Sequence, residues 1–176
     1  YAAKLLAAEF NRPGNEIIDH CIYAIVSDGD LMEGISSEAA SLAGHWGLGN
    51  IVYLYDSNDI SIEGSTELAY TEDVAIRFAA YNWHVQTIDG HDFDQIEKAL
   101  VAGRNETSRP SIIIAKTRIA KGSAGKEGSE DSHGAPLGAE DVRASKEKMG
   151  CNPDETFCVS RDVYDIFAER KAELQK

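Results

Sequence analysis

Ser27-Asp28-Gly29-Asp30-Leu31-Met32-Glu33-Gly34 and, further on, Asp56-Ser57-Asn58-Asp59-Ile60 decide the fold of this chain. Each stretch follows a short apolar run. Cys21-Ile22-Tyr23-Ala24-Ile25-Val26 precedes Asp28, and Ile51-Val52-Tyr53-Leu54-Tyr55 precedes Asn58. Short runs rich in β-branched and aromatic residues, bounded by turn formers, read as buried strands. A helical segment from about Glu33 to Gly47 lies between them, so the unit is strand, helix, strand with parallel pairing. That geometry sets Asp28 and Asn58 side by side at the carboxyl ends of neighbouring strands, where α/β sheets bind ligands. One carboxylate and one amide oxygen do not close a metal cage. They suit Mg²⁺, which takes one or two such ligands and fills its other positions with phosphate oxygens and water. The pair therefore predicts a metal-bridged diphosphate site, whereas each residue taken singly is also an ordinary turn former after a strand.

Asp-Gly followed by Asn thirty positions later resembles the thiamine-diphosphate fingerprint, usually Gly-Asp-Gly…Asn. Four further words stand in order: the run from Asp28 to Ala39, Ser-Leu-Ala-Gly-His at 41–45, Ser-Ile-Glu-Gly-Ser at 61–65, and Ser-His-Gly-Ala-Pro-Leu-Gly at 132–138. Together they resemble the amino-terminal, cofactor-binding domain of the transketolase family, over nearly the whole chain. The fold this implies is α/β, a parallel sheet flanked by helices, the thiamine-diphosphate-binding fold. Ser27 departs from the pattern, since the family usually has Gly there. Gly permits close backbone approach or unusual dihedrals that Ser tolerates less readily, so weaker cofactor affinity is expected, unless the small hydroxyl itself faces the diphosphate.

The resemblance also assigns residues. Asp28 and Asn58 would hold the metal, Mg²⁺ with Ca²⁺ or Mn²⁺ as substitutes, and Ile60 would complete its shell through the main-chain carbonyl. Gly29 would let the diphosphate approach the backbone, and Ile62 would touch the cofactor. Glu33, which on its own reads as an acid in the first turn of a helix, corresponds to a glutamate at the family's dimer interface. His133 lies where the family places a histidine near the diphosphate and the reacting carbons. Imidazole can carry a proton at neutral pH or donate a hydrogen bond to developing negative charge. Without the family word, His133 would be read as a solvated loop residue. His45 at a helix end suits the macrodipole, His91 shapes a turn, and His20 and His84 flank strands without a signal.

The activity implied is transfer of a two-carbon ketol unit between sugar phosphates, a step of the pentose phosphate pathway, in a cytoplasmic homodimer. Dihydroxyacetone synthase and deoxyxylulose-phosphate synthase share the fingerprint and stay open, as does a non-catalytic domain kept for assembly or regulation. In the family the pyrimidine-binding domain, with the glutamate that activates the cofactor, comes from a second domain of the partner subunit. Nothing in these residues supplies it. This chain is therefore expected to be part of a larger enzyme, or to work with a complementary chain, and to be inactive alone.

Composition agrees. A chain of 176 residues with 43% hydrophobic content can bury one core, so one partial domain over residues 1–176 is expected. A net charge of −13 leaves no basic stripe for nucleic acid, and no apolar run is long enough for a membrane span. Three cysteines, Cys21, Cys151 and Cys158, fit a reducing compartment. Tyr1 opens directly on a helix-forming segment with no cap, as though within a helix. Helices are expected over 72–81, 93–104, 141–149 and 161–174, and strands over 83–88 and 111–115. Residues 118–138 carry five glycines and few apolar anchors, so they read as a mobile active-site loop.

Overall fold

A computed structural model describes residues 1–175; the last residue of the expected domain, at position 176, lies outside them. The described residues form two compact units, one of 1–121 with 126–136, the other of 122–125 with the residues from 137 onward.

The larger unit is built on a parallel sheet. Strands β1 (Ile22–Ser27) and β2 (Ile51–Ser57) pair in parallel, with Ile25 opposite Leu54 and Ser27 opposite Asp56. The hairpin of β3 (Ile60–Ser61) and β4 (Gly64–Ser65) follows. Strands β5 (His84–Asp89) and β6 (Ser111–Lys116) complete the sheet in the order β1-β2-β6-β5, with every pair parallel. The connections are helical, as parallel pairing requires. Helices α1 (Ala2–Phe10), α2 (Asp28–Met32), α3 (Gly34–His45), α4 (Val74–Ala80) and α5 (Phe93–Asn105) belong to this unit.

Alternation along the central strands divides the core. Tyr55, Ile112 and Ile114 face α3 and α4, packing with Ala40, Ala43, Val74, Phe78 and Trp83. Val52 and Ile113 face the other way, against Ala99 of α5. Trp83 anchors the first layer. It is 2% exposed, sits edge-on to Phe78 at 5.1 Å, and donates from its indole nitrogen to the Ala40 carbonyl at 2.8 Å.

Two expectations are corrected here. The segment from Asp28 is not a bare turn before one helix. It forms its own helical turn, α2, and Glu33 (φ −65°, ψ 133°) breaks it from α3, which ends at His45 rather than Gly47. The first apolar run is not a buried strand either. Its strand β1 is at the sheet edge, with Ile22 and Tyr23 exposed and Ile25 80% exposed. Val26 alone of its apolar residues packs on the main core. A continuous apolar run marks a strand without saying how many neighbours it has.

The remaining elements fall close to expectation. Helix α4 starts at Val74 rather than Glu72, because Asp73 caps it by accepting from the Ile76 amide at 3.0 Å. Residues 118–138 carry no regular structure beyond a 3₁₀ turn over Glu130–Ser132. The smaller unit holds α6 (Ala139–Lys148) and α7 (Arg161–Leu174). Asp141 ties residues 122–125 to α6, accepting from the Ser123 hydroxyl at 2.7 Å and the Gly125 amide at 2.8 Å. Among the described residues no helix is long and apolar enough to cross a membrane.

Candidate functional site

The parallel pairing of β1 and β2 brings the two diagnostic segments to one end of the sheet. Ser27 ends β1 and caps α2. Its hydroxyl and amide both donate to the Asp30 carboxylate at 2.8 Å, and the Asp30 amide returns to the hydroxyl at 3.4 Å. This reciprocal capping box satisfies donors at the helix start. Ser27 has φ −116° and ψ 175°, an extended conformation open to any residue. The backbone here does not need glycine, and the hydroxyl bonds to Asp30, while Ser27 also lines the cavity described below.

Asp28 follows at the first helical position and is 3% exposed. Its Oδ1 accepts from the Tyr55 hydroxyl, whereas its Oδ2 is buried without a partner. Burial pushes this carboxyl above the ordinary range; the Tyr55 bond and Lys116 oppose the rise, while Asp59 and Asp56 add to it. A carboxylate left this way gains from a neighbouring cation.

Asn58 stands just beyond β2. Its amide nitrogen donates to Asp56 Oδ2 at 3.0 Å, and its Oδ1 accepts from the Ile60 amide at 3.0 Å. Asp59 takes the left-handed conformation (φ 61°) that turns the chain into the β3–β4 hairpin. Ile62, at the hairpin tip, is 70% exposed. A cavity of about 480 Å³ opens there, and Asp28, Gly29, Glu33, Asn58, Ile60, Ile62 and His133 all line it. The candidate cofactor and metal residues of the sequence thus line a single cavity.

Their surroundings differ. A Cβ on Gly29 would meet only the Ser27 hydroxyl, at 3.8 Å, so the protein's own packing leaves space in front of that backbone. Glu33 is exposed and its side chain makes no capping bond to α3, so it is not the first-turn acid its position promised. His133 is exposed, its amide held by the Glu130 carbonyl at 2.8 Å. In the turn before α5 the His91 amide donates to Asp89 Oδ1 at 2.9 Å, whereas its ring accepts from the distant Arg118 amide at 3.0 Å. Among the described residues no three His, Cys, Asp or Glu side chains gather as a metal cage.

Sequence reasoning missed the residues around these candidate ligands. Tyr55 reads as one more core aromatic, and only the fold aims its hydroxyl at Asp28. A second cavity of about 320 Å³ lies behind Asp28 and is lined by Tyr55, Asp59, Tyr70, Glu72 and Lys116. Burial pushes the Tyr70 hydroxyl up to about 12, which keeps it neutral and able to donate. Arg77 beside it holds the Leu31 carbonyl of α2 at 3.2 Å and pairs with Glu72 at 2.5 Å. No short motif marks any of these positions.

Fold and cavity together define a parallel α/β domain with a ligand site at the carboxyl ends of adjacent strands. The chain belongs to the transketolase family: residues 1–176 match the family described as transketolase, thiamine diphosphate binding domain. Transketolase 1 of Vibrio cholerae is 47% identical over 99% of this chain and 26% of its own length. The transketolase of Geobacillus stearothermophilus is 49% identical over 94% of the chain and 25% of its own length. The crystal structure of a Pichia stipitis transketolase complex with sedoheptulose-7-phosphate superposes with a TM-score of 0.94 at 43% identity, over 99% of this chain and 26% of that one. The chain thus spans about a quarter of the length of these relatives.

Proposed function

We propose that this chain is the diphosphate-anchoring part of a transketolase, an enzyme that moves a two-carbon ketol unit from a ketose phosphate to an aldose phosphate. One observation carries the reading: Asp28, whose Oδ2 is buried without a partner, lines the cavity that Asn58, Ile60 and His133 also line. An uncompensated carboxylate oxygen in a polar pocket is what a divalent cation would neutralise. In this reading Asp28, the Asn58 amide oxygen and the Ile60 carbonyl hold Mg²⁺ against the diphosphate of thiamine diphosphate.

Bound there, thiamine diphosphate supplies the electron sink for breaking and forming the carbon–carbon bond. The chain's own work is positional and electrostatic. Gly29 leaves backbone space for the diphosphate, and Ile62 offers an apolar surface at the rim. The His133 imidazole holds or delivers a proton where negative charge develops on the substrate oxygen. Glu33, unengaged within its own chain, fits a contact with a second subunit. The sugar-phosphate class is supported by the sedoheptulose-7-phosphate named for the similar Pichia stipitis structure. A cytoplasmic homodimer, with a second domain covering the cofactor, completes the proposal.

The competing reading, a domain that has lost its cofactor, leans on Ser27. The extended backbone at Ser27, which needs no glycine, speaks against the dihedral part of that argument. Calorimetry on the complete protein decides between them. Thiamine diphosphate is expected to bind only with Mg²⁺, and Asp28→Ala is expected to abolish binding. Binding that ignores the metal, or survives Asp28→Ala, overturns the proposal.

A further inference from the structure

We infer that Tyr55 and Asp56, adjacent on β2, are positioning residues that set which oxygen Asp28 and Asn58 each present, from opposite faces of the sheet. The inference rests on the metal-site reading above and concerns two residues that do not themselves line the cavity shared by Asp28 and Asn58.

Consecutive strand residues point to opposite faces. Tyr55 points into the core, where it is 3% exposed, and its hydroxyl ends on Asp28 Oδ1. A carboxylate turns easily about its last torsion, and its two oxygens are equivalent until something distinguishes them. Tyr55 distinguishes them. With Oδ1 taken, Oδ2 is the oxygen left for a cation, and Asp28 cannot rotate without breaking a buried bond.

Asp56 does the same for Asn58 on the other face. An ionised carboxylate only accepts, so the group of Asn58 that meets Asp56 Oδ2 at 3.0 Å must be the amide nitrogen. The amide oxygen then has to point the other way, where the Ile60 amide meets it at 3.0 Å. The second oxygen of Asp56 accepts from the Thr117 hydroxyl just past β6, which fixes the carboxylate in turn. Two supports from one dipeptide, attached to the central pair of strands, thus define which atom each ligand presents. Partners of this kind commonly matter for metal affinity about as much as a weak ligand does, roughly 10- to 100-fold.

The test is a Mg²⁺ titration of the complete protein at saturating thiamine diphosphate, read by calorimetry, with circular dichroism to verify folding. Tyr55→Phe removes one oxygen and keeps the ring; Asp56→Ala frees the Asn58 amide from a half-buried position outside the core. Each is expected to raise the apparent Mg²⁺ constant roughly 10- to 100-fold, with excess Mg²⁺ restoring full cofactor binding. An unchanged constant in either variant overturns that residue's role. So does loss of binding at every Mg²⁺ concentration, or failure to fold, since both assign the residue to stability instead. Asp28→Ala is the companion measurement: if it binds normally, the metal-site reading falls; if it loses binding while both supports are silent, only this inference falls.

Discussion

The Tyr55 hydroxyl, on β2, donates to Oδ1 of Asp28 at the first position of α2, and the two residues are each 3% exposed. The bond meets half of the carboxylate's needs and leaves Oδ2 buried with none. Without a cation this arrangement costs stability; with one it becomes a ligand. Asp28→Asn keeps the shape and removes the charge. The metal-free variant is expected to melt a few degrees above the parent, because an amide is cheaper to bury than a carboxylate. The rise in melting temperature that thiamine diphosphate and Mg²⁺ give the parent is expected to vanish. Paired thermal melts check both, and a variant less stable than its parent would show that Asp28 is held there for packing.

His133 makes the opposite trade. Its side chain is exposed on a segment with little regular structure, so His133→Ala is expected to leave the melting temperature unchanged. If its imidazole manages a proton during ketol transfer, the turnover number falls about 100-fold or more. Steady-state assays with a ketose phosphate donor separate this from a binding defect, in which KM alone would rise.

How far the sequence carried the reading depends on the physics at each position. The runs ending at Val26 and Tyr55 announced strands, and the parallel pairing followed because the segment between them is helical. Edge or centre was not legible, since Ile25 has the same side chain whether or not a neighbour covers it. The hairpin over Ile60–Ser65 escaped notice because two-residue strands have no periodicity to detect. Asp28 and Asn58 were singled out by their places after two apolar runs and by the family words around them, His133 by its word alone. Tyr55 and Asp56 were invisible because their importance lies in contacts to residues brought close by the fold or by one tight turn, and an aromatic in an apolar run reads as core.

The helix packing gives a graded prediction at two glycines. A Cβ on Gly44 of α3 would sit 1.7 Å from the Tyr81 carbonyl oxygen, backbone that cannot swing aside. Gly44→Ala must push α3 off the turn before Trp83 and is expected to cost more than about 3 kcal/mol. On Gly103 of α5 the new carbon meets Val52 Cγ1 at 3.2 Å, a contact that a few tenths of an ångström relieves. The helix gains about 1 kcal/mol from the better helix former. Gly103→Ala should therefore remain within about 1 kcal/mol of the parent. Chemical denaturation of both variants tests the order, and equal losses would show that the packing at Gly44 yields.

Acid should loosen one connection in a way that depends on a single carboxylate. Glu106, which ends α5, accepts from the Ser108 amide at 2.9 Å and from the Ser108 hydroxyl, and pairs with Arg109 at 3.3 Å. These bonds to Ser108, with the smaller contribution of Arg109, hold its carboxyl down to about 2. A group whose pKa is lowered on folding favours the folded form above its unfolded value, near 4.5, and loses that contribution as pH falls towards the folded one. Local order at residues 106–109 is therefore expected to persist from neutral pH to about 4.5 and to decline as the pH drops towards about 2. Amide hydrogen exchange at Ser108, corrected for the intrinsic rate, reads this directly. Glu106→Ala should be weakly protected at every pH. Protection in the parent that stays flat across this range, or a variant as protected as the parent, would show that the turn is held by α5 and β6 on either side of it.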